Sequence, residues 1–98
     1  MKKLAIVCVC GFGLGTSLIL KMTVDEMLAK EGLEADVTPQ DITSLGGMDA
    51  DVVFTSSELA RQIGEMVDCP LVVIDNFIDV GEAREKGLAL IREIMLDN

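Results

Sequence analysis

The feature that most constrains this chain is a change of period near its start. Residues 3–9, Lys-Leu-Ala-Ile-Val-Cys-Val, form a near-continuous apolar run. A strand buried on both faces needs such a run. Gly11, Gly13 and Gly15 follow in alternation. From Thr16 or Ser17 to Lys30 the apolar residues then recur at helical spacing, with Leu20, Val24, Met27 and Leu28 on one face. A doubly covered strand, a tight glycine turn and a helix make a βα unit, the building block of a parallel sheet packed between helices.

The remaining segments repeat the scheme. Thr16 or Ser17 is suited to cap the first helix, and Gly32 to end it. Residues 33–38 alternate apolar and polar, as a half-exposed edge strand does. Pro39 to Ala50 reads as a polar connection in which Ile42 and Leu45 pin one helical turn to the core. Residues 51–55 are a third, buried strand. Ser56 or Ser57 caps a second helix with Leu59, Ala60, Ile63, Met66 and Val67 on one face. Pro70 opens a fourth strand over 71–75. A last helix runs from about Val80 to Leu96 with Ala83, Gly87, Leu90, Ile91 and Ile94 inward.

This order predicts a three-layer α/β fold of the Rossmann-like, flavodoxin-like kind. Its four-stranded parallel sheet has the order 2-1-3-4, with helices on both faces. With 98 residues, half of them apolar, one domain over 1–98 is expected. In that order the chain reverses direction between strands 1 and 3. Open sheets bind ligands there, beyond the carboxyl ends of the strands. The glycine loop sits at this point.

Composition removes several functions. There is no histidine, so a Ser-His-Asp or Cys-His pair within the chain is impossible, as is a mixed Cys/His zinc site. The net charge of -9 and eight scattered basic residues argue against nucleic acid. The Met-Lys-Lys-Leu-Ala start resembles a signal peptide, but its apolar run is too short and breaks into glycines. No stretch reaches the ~20 apolar residues of a membrane span. The expectation is a cytoplasmic protein whose three cysteines (Cys8, Cys10 and Cys69) are reduced.

The chemistry concentrates in Cys10-Gly-Phe-Gly-Leu-Gly-Thr-Ser17. Alternate glycines let successive N–H groups point inward, and such a nest opening onto a helix N-terminus is an anion site. Thr16 and Ser17 add hydroxyl donors. Cys10 stands at its mouth, where the same dipoles favour the nucleophilic thiolate. A thiolate among phosphate-binding donors suits a covalent thiophosphate intermediate, because N–H groups aimed at the equatorial oxygens stabilise charge in transfer. Gly11, Phe12, Gly13, Leu14, Gly15, Thr16 and Ser17 are therefore the predicted phosphate cradle.

Other motifs fit less well. A dinucleotide G-x-G-x-x-G fails at Thr16, a Walker loop lacks its Gly-Lys-Ser/Thr, and Cys8 and Cys10 are spaced C-x-C rather than C-x-x-C. A cysteine phosphatase loop resembles Cys-x5-Arg-Ser/Thr, but Thr16 occupies the arginine's place and no Asp-Pro acid appears. A loop without these hydrolytic helpers reads as a carrier. A small cysteine phosphatase and a phosphate-sensing regulatory module remain the alternatives.

The run from Cys10 to Met22, straight after a buried strand, resembles the IIB component of the bacterial phosphoenolpyruvate-dependent sugar phosphotransferase system (PTS). The likeness is to the ascorbate and galactitol type, with its Cys-Gly-x-Gly-x-Gly-Ser/Thr-Ser loop. It extends over essentially the whole chain as one EIIB domain. It implies that Cys10 takes phosphate from a phosphohistidine on a IIA protein. The phosphate then passes to a sugar or polyol imported through the membrane transporter IIC, with which a cytoplasmic IIB associates peripherally. No metal and no cofactor is implied. Cys8 and the apolar Phe12 and Leu14 depart from the family pattern and bear on substrate identity.

The neighbouring features read as structural. Cys8 packs in the core as a small hydrophobe, with a resolving thiol under oxidation as the alternative, and Cys69 is structural. Thr55, Ser56 and Ser57 end the third strand on the loop's rim, as a helix cap or as a phosphate or IIA contact. Asp75 lacks the companion acids of a receiver domain. Met22 and Phe12 are candidates for exposed positions that meet a partner.

Overall fold

The computed structural model of the chain describes residues 3–10, 14–47 and 49–97. The elements are β1 (Leu4–Cys10), α1 (Leu14–Lys30), β2 (Ala35–Asp41), a 3₁₀ segment (Ile42–Gly47), β3 (Val52–Thr55), α2 (Ser57–Gly64), β4 (Leu71–Val73) and α3 (Val80–Asp97). All strand pairs are parallel, and the sheet order is β2-β1-β3-β4. Both the order and the class agree with the sequence.

Alternation along β1 sets the two faces. Leu4, Ile6 and Cys8 join Leu20, Val24 and Met27 of α1 and Ala83 and Ile91 of α3 in one core. Val7 and Val9 point the other way and pack with Leu45 of the 3₁₀ segment and Ile63 of α2. The central strand is thus buried on both faces, as its apolar run requires. At the opposite end of the sheet from the glycine loop, Asp51 clamps β1. Its N–H donates to the Ala5 carbonyl and its Oδ2 accepts from the Ala5 N–H, both at 2.8 Å.

The α1 helix ends as its sequence requires. Gly32 adopts φ +70°, the Leu33 N–H donates to the Leu28 carbonyl at 2.9 Å, and the Gly32 N–H donates to Ala29 at 3.2 Å. This is a Schellman closure.

Several boundaries differ from the sequence reading. The first helix begins at Leu14, so Thr16 and Ser17 lie inside its first turn and neither is the N-cap. The first N–H groups of a helix have no intrahelical partner, so Gly15 is tolerated there. The second strand runs on through Pro39 to Asp41 and starts at Ala35 rather than Leu33. A proline is compatible with an edge strand, where one side of the backbone has no ladder to serve. The second helix stops at Gly64, before Met66, which is exposed. The fourth strand is only Leu71–Val73.

Candidate functional site

The carboxyl ends of the strands form one rim, with Cys10 ending β1, Asp41 ending β2, Thr55 ending β3 and Val73 ending β4. From β1 the chain passes to α1 on one face, and from β3 to α2 on the other. Cys10 therefore stands at the topological switch point of the sheet. By alternation it shares the face of Ile6 and Cys8, which α1 covers, and it is 3% exposed.

The first turn of α1 follows closely in sequence. Its N–H groups, from Leu14 onward, form the positive end of a 17-residue helix. Ser17 is fully buried and Thr16 half-buried in this turn. Of the predicted cradle, Leu14 to Ser17 are thus helical, while Gly11, Phe12 and Gly13 lie outside the described residues. Phe12 as a partner-facing residue lies outside them too. Met22 is indeed exposed, and Leu18 and Ile19 lie exposed beside it on α1.

Both thiols of β1 are buried, but Cys8 belongs to the packed core cluster while Cys10 ends the strand at the rim. Cys8 is fully buried in the α1-side core, and its thiol is pushed up from 9.0 to about 12. Desolvation is the main cause and the Asp25 carboxylate adds to it, while Lys21 opposes. A thiol so held stays protonated and packs as a small hydrophobe. Cys69 is half-buried at the far end of the sheet, and burial raises its thiol as well.

The rim also contains residues whose roles the sequence did not disclose. Thr55 is fully buried, and its Oγ1 donates to the Val9 carbonyl at 3.0 Å. It is neither cap nor exposed ligand. Ser56 occupies the N-cap position of α2 in extended conformation, but its side chain makes no capping bond. On α1, the Thr23 hydroxyl donates to the Phe77 carbonyl and ties the helix to the β4–α3 loop.

That loop is braced by Glu82, which accepts from the N–H groups of Asp75 at 2.7 Å and Asn76 at 2.9 Å and from Lys86 at 2.5 Å. These donors, the Asp75 N–H foremost, hold the Glu82 carboxyl down at about 2. Asp75 itself is exposed and pairs with Lys86 at 3.4 Å. A signal for the Glu82 brace was present, since an acid early in a helix often reaches back to the preceding turn.

Residues 5–87 match the family described as PTS system, Lactose/Cellobiose specific IIB subunit. The chain belongs to this PTS IIB family. Members of the family are components of sugar phosphotransferase systems. The IIB chain is 28% identical over 86 residues to the ascorbate-specific PTS system EIIB component of Mycoplasma pneumoniae, covering 86% of this chain and 90% of the relative. It is 29% identical over 92 residues to the component of the same description from Salmonella typhimurium, covering 90% and 89%.

A stretch of 70 residues, 71% of this chain, is 34% identical to 15% of the mannitol-specific cryptic EIICB component of Escherichia coli K12. In fold, the IIB chain is similar to the lactose-specific IIB domain from Streptococcus pneumoniae, with TM-score 0.65, 15% identity and 94% and 97% of the two chains covered. Among the described residues, no helix is long and apolar enough to cross a membrane.

Proposed function

We propose that this IIB chain is a phosphocarrier and that Cys10 is the residue that carries the phosphoryl group. The observation behind this is the placement of Cys10. It ends the central strand at the switch point, four positions before α1 begins, whereas Cys8 lies within the packed core cluster. Because the chain has no histidine, the donor imidazole comes from a partner. That partner is a IIA protein.

The steps balance simply. The Cys10 thiolate attacks the phosphorus of phosphohistidine, an S–P bond forms, the N–P bond breaks, and the freed imidazole takes up a proton. The N–H groups of the first turn of α1 offset charge on the equatorial oxygens. A sugar hydroxyl then attacks, a P–O bond forms, the S–P bond breaks, the thiolate is restored and the hydroxyl proton passes to solvent. The acceptor is a sugar or polyol presented by a membrane IIC at the cytoplasmic face. Relatives described as ascorbate-specific, aligned along most of both chains, favour an ascorbate-like compound, and the loop's resemblance to the ascorbate and galactitol type adds a galactitol-like polyol.

The test is mass spectrometry of the intact chain after incubation with a phosphorylated IIA. The wild type gains one phosphoryl group, Cys10→Ser gains none, and Cys8→Ser is labelled like the wild type. A labelled Cys10→Ser with an unlabelled Cys8→Ser would overturn the assignment. Steady hydrolysis of p-nitrophenyl phosphate would point to a phosphatase instead.

A further inference from the structure

The ladder between β1 and β3 ends at the pair Val9 and Thr55. Beyond it the two strands part, β1 toward α1 and β3 toward α2. At this point the backbone is held by a side chain. The Thr55 hydroxyl donates to the Val9 carbonyl at 3.0 Å in a fully buried setting. The Thr55 carbonyl accepts the Ile74 N–H at 2.8 Å. One residue therefore joins the ends of β1, β3 and β4 just where the site begins.

The carbonyl that Thr55 holds is not arbitrary. Val9 C=O and Cys10 N–H belong to one planar peptide unit. Fixing the oxygen fixes the plane from which Cys10 hangs. Val53, two residues before Thr55, faces the α2-side core, and by alternation Thr55 does too, whereas Cys10 faces α1. The hydroxyl thus works from the opposite face of the sheet through the peptide and does not touch the thiol. A valine would fill the same space without a polar group to satisfy.

We infer that Thr55 is a positioning residue for phosphoryl transfer at Cys10. It sets the height and direction of the thiolate relative to the first turn of α1. This rests on the reading of Cys10 as the phosphate carrier. In-line transfer is sensitive to such placement, and a shift of ~1 Å costs up to about a hundredfold in rate.

The experiment measures the rate of transfer from phosphorylated IIA to the chain across donor concentrations, for Thr55→Val, Thr55→Ser and the wild type. Thr55→Val keeps the volume and loses the hydroxyl, and Thr55→Ser keeps the hydroxyl and loses a methyl. The expected result is a fall in kcat between about tenfold and a hundredfold for Thr55→Val, with KM for the donor unchanged. Thr55→Ser stays within about threefold of wild type, although its lost methyl lowers its unfolding midpoint.

A merely structural threonine gives a different outcome, in which rate follows stability and Thr55→Ser is slowed as much as Thr55→Val. That result, or a wild-type kcat for Thr55→Val, overturns the inference. Should Thr55→Val not fold, Thr55→Ser and Thr55→Ala differ by the hydroxyl alone and are compared in its place. A wild-type chain that takes no label, or takes it at a residue other than Cys10, defeats the carrier reading and this inference with it. Failure of the positioning role alone leaves wild-type labelling at Cys10 intact.

Discussion

Gly87 of α3 lies directly against the ring of Phe54 in β3. A Cβ at position 87 would stand 2.6 Å from Phe54 Cζ and 3.0 Å from Cε2. Phe54 is fully buried in the core shared by α1, α3 and the sheet. The missing side chain is what lets the long C-terminal helix settle onto the short third strand.

Gly87→Ala is therefore expected to destabilise the fold even though it places a better helix former in α3. Overpacking a buried ring costs about 1–3 kcal/mol, and helix propensity returns about 1 kcal/mol. Urea unfolding measures the balance. A double-mutant cycle with Phe54→Leu checks the cause, since the smaller side chain makes room for the alanine and the two changes then interact favourably. Additive losses would show that the contact is not the source.

Gly32 is constrained by its backbone rather than by its neighbours. Nothing lies within 4 Å of a Cβ built there, yet φ is +70°. Gly32→Ala is expected to cost about 1 kcal/mol, because an L side chain in the left-handed region crowds the following carbonyl. Gly32→Asn is expected to lose less, since asparagine tolerates this conformation. Thermal melts of the two variants decide it.

The sequence discloses most of what burial controls and little of what polar side chains do at chain ends. Sheet order follows from the double-sided apolar run at Leu4–Cys10 and the handedness of crossovers. The inward faces of α1 and α3 follow from helical spacing. The extension of β2 to Asp41 was hidden because Pro39 reads as a breaker until the strand is known to be an edge. The start of α1 was hidden because Gly15 reads as loop, although the first helical turn tolerates glycine. The place of Cys10 at the carboxyl end of β1 was legible from the apolar run before it and the glycines after it. Thr55 was not, because a threonine at a strand end reads equally as a cap, a ligand or a clamp, and only the position of the Val9 carbonyl separates these.

The Glu82 carboxylate makes the fold sensitive to acid. Its folded value of about 2 lies below the ordinary 4.5. Its contribution is fully present above about 4.5 and is lost as pH falls toward 2. Glu82→Gln cannot accept from both N–H groups with full charge. It is expected to be less stable than wild type at neutral pH, with the difference shrinking through that window. Urea midpoints across the range measure this. A constant difference down to about pH 2 would show that the carboxylate's charge is not what braces the β4–α3 loop.

Cys8 produces the opposite limb. Its folded thiol is held at about 12 against an ordinary value of 9.0. Below 9.0 both the folded and the unfolded chain carry the proton and nothing is lost. Above it the unfolded chain releases the proton while the folded chain keeps it, so stability falls as pH rises, by up to ~1.4 kcal/mol per unit, until the folded value is reached. The chain has no tyrosine to add its own titration in this range, and the lysines and Cys69 are common to wild type and variant. Cys8→Ala is expected to be less stable than wild type at neutral pH, because it leaves a small void in the core. Its stability is nevertheless expected to decline less steeply above pH 9.0. Iodoacetamide offers a second readout: Cys8 is expected to resist alkylation in the folded chain and to react once urea unfolds it. Rapid modification of Cys8 under native conditions would show that this second thiol of β1 is open to the chemistry assigned to Cys10.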